Sequence, residues 1–217
     1  MHLEQIKLFA RAGNWPVHNY GKTHFSLTTA MIQELRGLSY LDQWRTSLAK
    51  GWYHLLMEDQ SILVFNETDT SASFSFLQCP LEIPSLREFL SDRSLDYTSR
   101  NRDAYADDYQ LVIDTADLRK HVTPVRFDYD EKGYRCGVHP VSHIHIGLDN
   151  DIRLGYSKKM SAISFCLFIM RQFYPESWAR ILDRPELKRL KKSVRDYCST
   201  LPHDYWKVHD SIELHFS

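Results

Sequence analysis

Hydrophobic and polar positions alternate most regularly between His121 and Arg153. Val125, Phe127 and Tyr129 alternate with Arg126, Asp128 and Asp130. Tyr134, Cys136 and Val138 alternate with Arg135, Gly137 and His139. Ile144 and Ile146 alternate with His143 and His145, and Ile152 and Leu154 with Asp151 and Arg153. A period of two is the mark of strands with one buried and one solvated side. The DEKG stretch supplies a turn in which Gly133 can take positive φ, and Pro140 to Ser142 turns the chain again. The prediction is a meander of four segments over about 122–154. Its apolar sides must share one face, because a slip of one residue would bury the charges. The same rule gathers Arg126, Asp128, His139, His143, His145 and Arg153 on the other face, with Gly137 among them, where a missing side chain permits close approach.

Around this stretch the pattern predicts an α+β fold, an antiparallel sheet packed against helices at about 28–48 and 161–198. Met31, Leu35, Leu38, Leu41 and Leu48 recur at helical spacing, with Thr28 or Thr29 as the cap. Residues 52–57 and 62–66 flank EDQS as a hairpin, and Ser71 to Leu77 alternates as a half-buried strand that Pro80 ends. Pro84 to Leu90 fits a short helix. Residues 91–108 are polar and predict an exposed loop or a poorly packed helix, the most mobile part of the chain. Ser161 to Tyr174 is apolar nearly all round, as a central buried helix is. The alternation over 203–216 predicts a closing strand. No repeat or low-complexity linker divides the chain, so a single domain over 1–217 is expected.

Composition adds exclusions. With 217 residues, 43% hydrophobic and 25% charged, a core forms without metals or disulfides as staples. The net charge of -1 provides no global field for polyanions. The four cysteines never form a CxxC pair, which points to reduced thiols in a cytoplasmic protein. No signal peptide or membrane-length apolar run is seen, and no membrane partner is expected.

The candidate chemistry lies on the polar face. His143 and His145, one residue apart on a strand, point to the same side, and Asp128 completes a metal-ligand set of the usual N/O type. Asp128, His139, His143 and His145 are therefore the catalytic candidates, as ligands of a divalent metal or as an acid–base group. Arg126 and Arg153 are the anion-binding candidates. A basic run, Arg184, Lys188, Arg189, Lys191, Lys192 and Arg195, could meet nucleic-acid phosphates, although an exposed helix face is the commoner meaning of such a run. His121-Val122-Thr123 and His209-Asp210-Ser211 faintly echo the two-histidine phosphoesterases, with Asp210 departing from their pattern. P-loop, Rossmann, GxSxG and HExxH signatures are absent.

The runs PVRFDYD, HPVSHIHIG, NDIRL and SAISFCLFIMRQFYPESW, with FSFLQCPLEIPSLREFL upstream, resemble a family of uncharacterised bacterial proteins, domain of unknown function 2290. The resemblance covers about Ser73 to Trp178. The family's IRIP is replaced by Ile152-Arg153-Leu154-Gly155. The resemblance implies no activity, and its context is that of similar families in mobile and phage-defence regions. Two function classes follow. One is an accessory or binding subunit of a bacterial multiprotein defence system, contacting a protein partner or nucleic acid. The other is a metal-dependent phosphodiesterase or nuclease-like effector using the His/Asp face. Whether the chain is an enzyme, and in what oligomeric state it works, stays open at this point.

Overall fold

A computed structural model describes residues 3–22, 25–148, 152–182, 194–212 and 215–216. The chain begins with α1 (Leu3–Ala12) and β1 (Val17–Tyr20), then α2 (Thr29–Arg36) and α3 (Tyr40–Ala49). The hairpin β2 (Leu55–Met57) and β3 (Ile62–Glu67) is followed by β4 (Ser71–Leu77). Three short helices come next, α4 (Leu86–Ser91), α5 (Ser99–Ala104) and α6 (Ala106–Asp114). The central strands are β5 (Val125–Asp130), β6 (Ser142–Ile146) and β7 (Ile152–Tyr156). The C-terminal part holds β8 (Lys158–Lys159), α7 (Ala162–Phe173), α8 (Pro175–Leu182), β9 (Ser199–Thr200), α9 (Val208–Ile212) and β10 (His215–Phe216). This is an α+β fold. Strands β1 to β7 form one antiparallel sheet in sequence order, and β10 joins its edge parallel to β7. β8 and β9 pair separately.

The alternation sets the two faces of the sheet. Leu63 and Phe65, Phe74 and Phe76, Val125 and Phe127, and Ile144 project to one side and are buried. Helix α7 covers them with Ile163, Phe165, Cys166 and Ile169. Phe74 stacks on Phe127 at 5.6 Å between centroids, and Phe165 meets Phe74 at 6.0 Å and Phe65 at 6.5 Å. A helix buried this completely has no polar face to present, which is why its sequence shows no amphipathic stripe. On the opposite face, Leu56, Ile62 and Val64 carry a smaller cluster with Tyr53, Phe25, Leu27 and Leu48. From β4 to β7 that same face is polar.

Several expectations are corrected. The helix over 28–48 is two helices. Thr28 caps α2 by accepting from the Met31 N–H, and Gly37, a weak helix former, closes it. Ser39 then caps α3 by accepting from the Asp42 N–H. Trp44 anchors α3, with its indole N–H donating to the Gln60 carbonyl at 2.8 Å. Of the two alternatives for residues 91–108, the poorly packed helix holds: they contribute α5, none of whose residues is buried, and the start of α6. Tyr109 is buried beside Phe89, and its hydroxyl donates to the Pro84 carbonyl. Pro175 separates α7 from α8 and stands at the first position of α8, and Val194–Tyr197, expected as helix, is a 3-10 turn. The stretch from 183 to 193 lies outside the described residues. The strand over 203–216 is instead a 3-10 turn, α9 and the two-residue β10.

The most consequential correction concerns Tyr134 to His139. β5 pairs directly with β6, and the Asp130 N–H donates to the Val141 carbonyl, so residues 131–140 form the loop between them. Within it Arg135 and His139 exchange backbone hydrogen bonds around Gly137, whose φ is +68°. Positive φ thus falls at Gly137 and not at Gly133. The loop is latched by buried Asp210 of α9. Its carboxylate accepts from the Gly137 N–H at 2.9 Å, the Tyr134 hydroxyl at 2.7 Å and the Lys207 N–H at 2.9 Å. A side chain at Gly137 would meet Cβ of His209 at 3.3 Å, so the close approach permitted there is made by the chain itself. No helix among the described residues is long and apolar enough to cross a membrane.

Candidate functional site

The polar face is assembled by register. Ser73 of β4 lies opposite Asp128 of β5, which lies opposite His143 of β6. In the parallel row, Ser75, Arg126, His145 and Arg153 line up across β4, β5, β6 and β7. Side chains so paired stand roughly 5 Å apart at Cβ. The alternation of each strand placed them on one face, and strand pairing made them neighbours.

Asp128 is the hub. Its Oδ1 accepts from the Ser73 hydroxyl at 2.7 Å, and its Oδ2 accepts from Arg126 Nε at 2.7 Å. His145 Nε2 lies 3.4 Å and His143 Nε2 3.9 Å from the same Oδ2. Burial alone would raise the Asp128 pKa. The hydrogen bond to His145, the Arg126 charge and the Ser73 hydroxyl outweigh it and hold the carboxyl down to about 2. Asp128 is therefore an anion at every physiological pH.

The two histidines are almost wholly enclosed, at 2% and 3% exposure for His143 and His145. Burial lowers the His143 pKa to about 4, against the raising effect of its bond to Pro140 and of Asp128. His143 Nδ1 is 2.8 Å from the Pro140 carbonyl oxygen. A carbonyl only accepts, so Nδ1 carries the proton and Nε2 is left with a lone pair facing Asp128. This is the arrangement of a metal-ligating histidine, whose other nitrogen is held by a backbone carbonyl. The Asp128 oxygen and the imidazole nitrogens of His143 and His145 all lie within 4.8 Å of one another. Zinc–nitrogen and zinc–oxygen bonds of about 2.0–2.2 Å place tetrahedral ligand atoms roughly 3.3 Å apart. The Asp128 Oδ2 to His145 Nε2 distance of 3.4 Å, set here by their hydrogen bond, is close to this value, and the 3.9 Å to His143 Nε2 is longer.

His139 and Arg153 stand at the edge of this set. The His139 ring packs edge-on against His143 at 4.8 Å, and burial, then the Arg153 charge, lowers its pKa. Arg126 contacts Asp128, whereas Arg153 lines a separate small pocket with His139. A groove of about 1030 Å³ runs along the face, between the β4 serines, Arg126, Asp128 and His143 on one side and Ile32, Leu35, Leu38 and Tyr40 on the other. Of the basic run, Arg184, Lys188, Arg189, Lys191 and Lys192 lie outside the described residues, and only the backbone of Arg195 is placed, in the 3-10 turn. Asp210 of the faint H-x-S echo is taken up by the loop latch.

Three participants escaped the sequence reading. Ser73 was visible as the polar side of its strand, but its pairing with Asp128 is a contact over 55 positions. The Pro140 carbonyl carries no side-chain signal. Arg135 was assigned to a strand and sits instead on the loop that brings it to His139.

Fold and site together define an α+β protein with a His-His-Asp cluster on its sheet, of which Asp128 and His143 line a groove. The chain belongs to the family described as uncharacterized conserved protein (DUF2290), whose model matches residues 9–209. That match extends well beyond the Ser73–Trp178 stretch in which the resemblance is legible. No curated protein and no solved structure matches the chain.

Proposed function

We propose that Asp128, His143 and His145 bind a divalent transition metal and that the protein is a metal-dependent phosphodiester hydrolase. The observation that carries this reading is the convergence of three ligand atoms, with the Nε2 lone pair of His143 set by the Pro140 carbonyl. Two imidazoles and a carboxylate leave coordination positions open, as catalytic sites require. A metal held by Asp128, His143 and His145 would supply an acidified water as nucleophile and a positive charge facing the phosphoryl oxygens. Each oxygen of a carboxylate has two lone pairs, so Asp128 Oδ2 can keep its bond from Arg126 while ligating the metal. The groove gives an extended substrate access to Asp128 and His143.

The test is metal content. Protein purified with Zn²⁺ or Mn²⁺ should retain close to one equivalent, and His143→Ala with His145→Ala should lose it. Asp128→Asn, which keeps the shape of the site, guards against a misfolded double variant. Equal metal in all three proteins, or none in the wild type, sinks the reading.

A second reading, an accessory module that binds a protein or nucleic-acid partner, is favoured by one observation. Helix α2 buries none of its residues, yet presents Ile32 and Leu35 to the groove. A protein that holds no metal, but loses oligonucleotide retention on Lys191→Glu with Lys192→Glu, is this module.

A further inference from the structure

Next to the histidines is a second recess of about 260 Å³, lined by Gly133, Arg135, Val138, His139 and Arg153. It is smaller than the roughly 300–1,000 Å³ of sites that take drug-sized ligands, so it suits a small group. Its polar lining is cationic. Arg135 and Arg153 are exposed, and neither side chain makes a hydrogen bond or ion pair with a described residue. His139 Nδ1 is shut off from solvent and has no hydrogen-bond partner among the described residues. A buried ring nitrogen without a partner is uncommon and calls for one. The nearby acid is Asp130, one of whose oxygens accepts from the Lys132 N–H.

The geometry points to an oxyanion subsite in which Arg135, Arg153 and His139 hold a phosphate monoester group. Planar guanidinium forks match phosphate oxygens, and donors from three residues suit a group with three terminal oxygens better than a carboxylate with two. His139 lines both this recess and the groove and packs on His143, so a phosphate held here sits at the border of the proposed metal centre. The site thereby selects a substrate with a terminal phosphate next to the bond that is cut. That assignment to a substrate rests on the hydrolase reading, whereas binding itself requires no metal.

The two are separated by titrating the full chain, stripped of metal by chelation, with inorganic phosphate, methyl phosphate and dimethyl phosphate in a calorimeter. Saturable binding of the first two at one site is expected, with dimethyl phosphate at least tenfold weaker. Arg135→Ala and Arg153→Ala should each weaken binding of methyl phosphate by tenfold or more, and Arg135→Lys should restore only part of it. Both arginines are exposed, so these variants should fold, which circular dichroism checks. His143→Ala with His145→Ala should still bind methyl phosphate. Absence of saturable binding overturns the inference, as does insensitivity to both arginines, equal binding of all three probes, or binding of inorganic phosphate alone. Methyl phosphate binding by a chain that never holds metal would sustain the subsite and remove the hydrolase reading.

Discussion

Replacing Asp210 by alanine tests how the 131–140 loop is held. The carboxylate accepts three hydrogen bonds, from the Gly137 N–H, the Lys207 N–H and the Tyr134 hydroxyl. Hydrogen bonds to a charged group contribute roughly 1.5–3 kcal/mol each. Gly137 and Lys207 are themselves exposed, so water replaces part of what is lost. A net cost of about 2–3 kcal/mol is the reasoned value. Because each 1.4 kcal/mol is tenfold, the Gly137 amide should exchange with solvent about 30-fold faster or more in Asp210→Ala. Hydrogen–deuterium exchange read by NMR gives this directly, while amides of Phe74 and Phe127 in the central strands should change less. The effect has a pH limit. Burial would raise the Asp210 pKa, but the backbone bonds from Gly137 and Lys207 and the Tyr134 hydroxyl lower it further. A depressed carboxyl contributes its stability above the ordinary value of 3.8 and loses it as pH falls through the folded one. The latch should therefore hold unchanged from pH 7 to about 4 and open in stronger acid. Unaltered protection of Gly137 in Asp210→Ala would refute the reasoning and leave the loop held by its own backbone bonds.

Two further perturbations probe the scaffold. Phe165→Ala removes a fully buried ring between Phe65 and Phe74 and should cost about 3–5 kcal/mol, seen as a lowered urea midpoint with little change in slope. His54 is buried, accepting from the Phe65 N–H at Nδ1, and its Nε2–H donates to the Phe25 carbonyl. Burial lowers its pKa from 6.5 despite the bond to Phe25, so the unfolded chain takes up the proton first as pH falls. Stability is thus full above pH 6.5 and declines below it toward the folded value. His18, His139 and His143 shift in the same direction, so the measurement is the difference in urea midpoint between pH 7.5 and 5. That difference should shrink in His54→Gln, and an equal difference in both proteins would refute the assignment.

The strands were legible because a period of two survives any tertiary context in which one face is wet. Val125 to Tyr129 and Ala72 to Phe76 are such cases. Tyr134 to His139 shares the period and is not a strand, since alternation is permitted in a loop and no partner strand was available once β5 had paired with β6. The helix over 28–48 had the right apolar spacing, but Gly37 and the capping Ser39 are local signals that outweigh it. The polar band over 91–108 could be read as a loop or as a poorly packed helix, because a helix anchored by one side chain, Tyr109, has too few apolar positions to show a period.

By itself, then, the sequence determined the α+β class, the apolar face of the central strands and the fact that Asp128, His143 and His145 share the other face. These follow from side-chain direction along each strand, together with the rule that the apolar sides of neighbouring strands share one face. Only the tertiary structure decided that Ser73 and Arg126 donate hydrogen bonds to Asp128, that Pro140 orients His143, and that Arg135, His139 and Arg153 meet at one recess. Those contacts depend on strand register and on a loop pinned by Asp210 from the far end of the chain. Register is set by the packing of the opposite, apolar face against α7, which no short window of sequence contains.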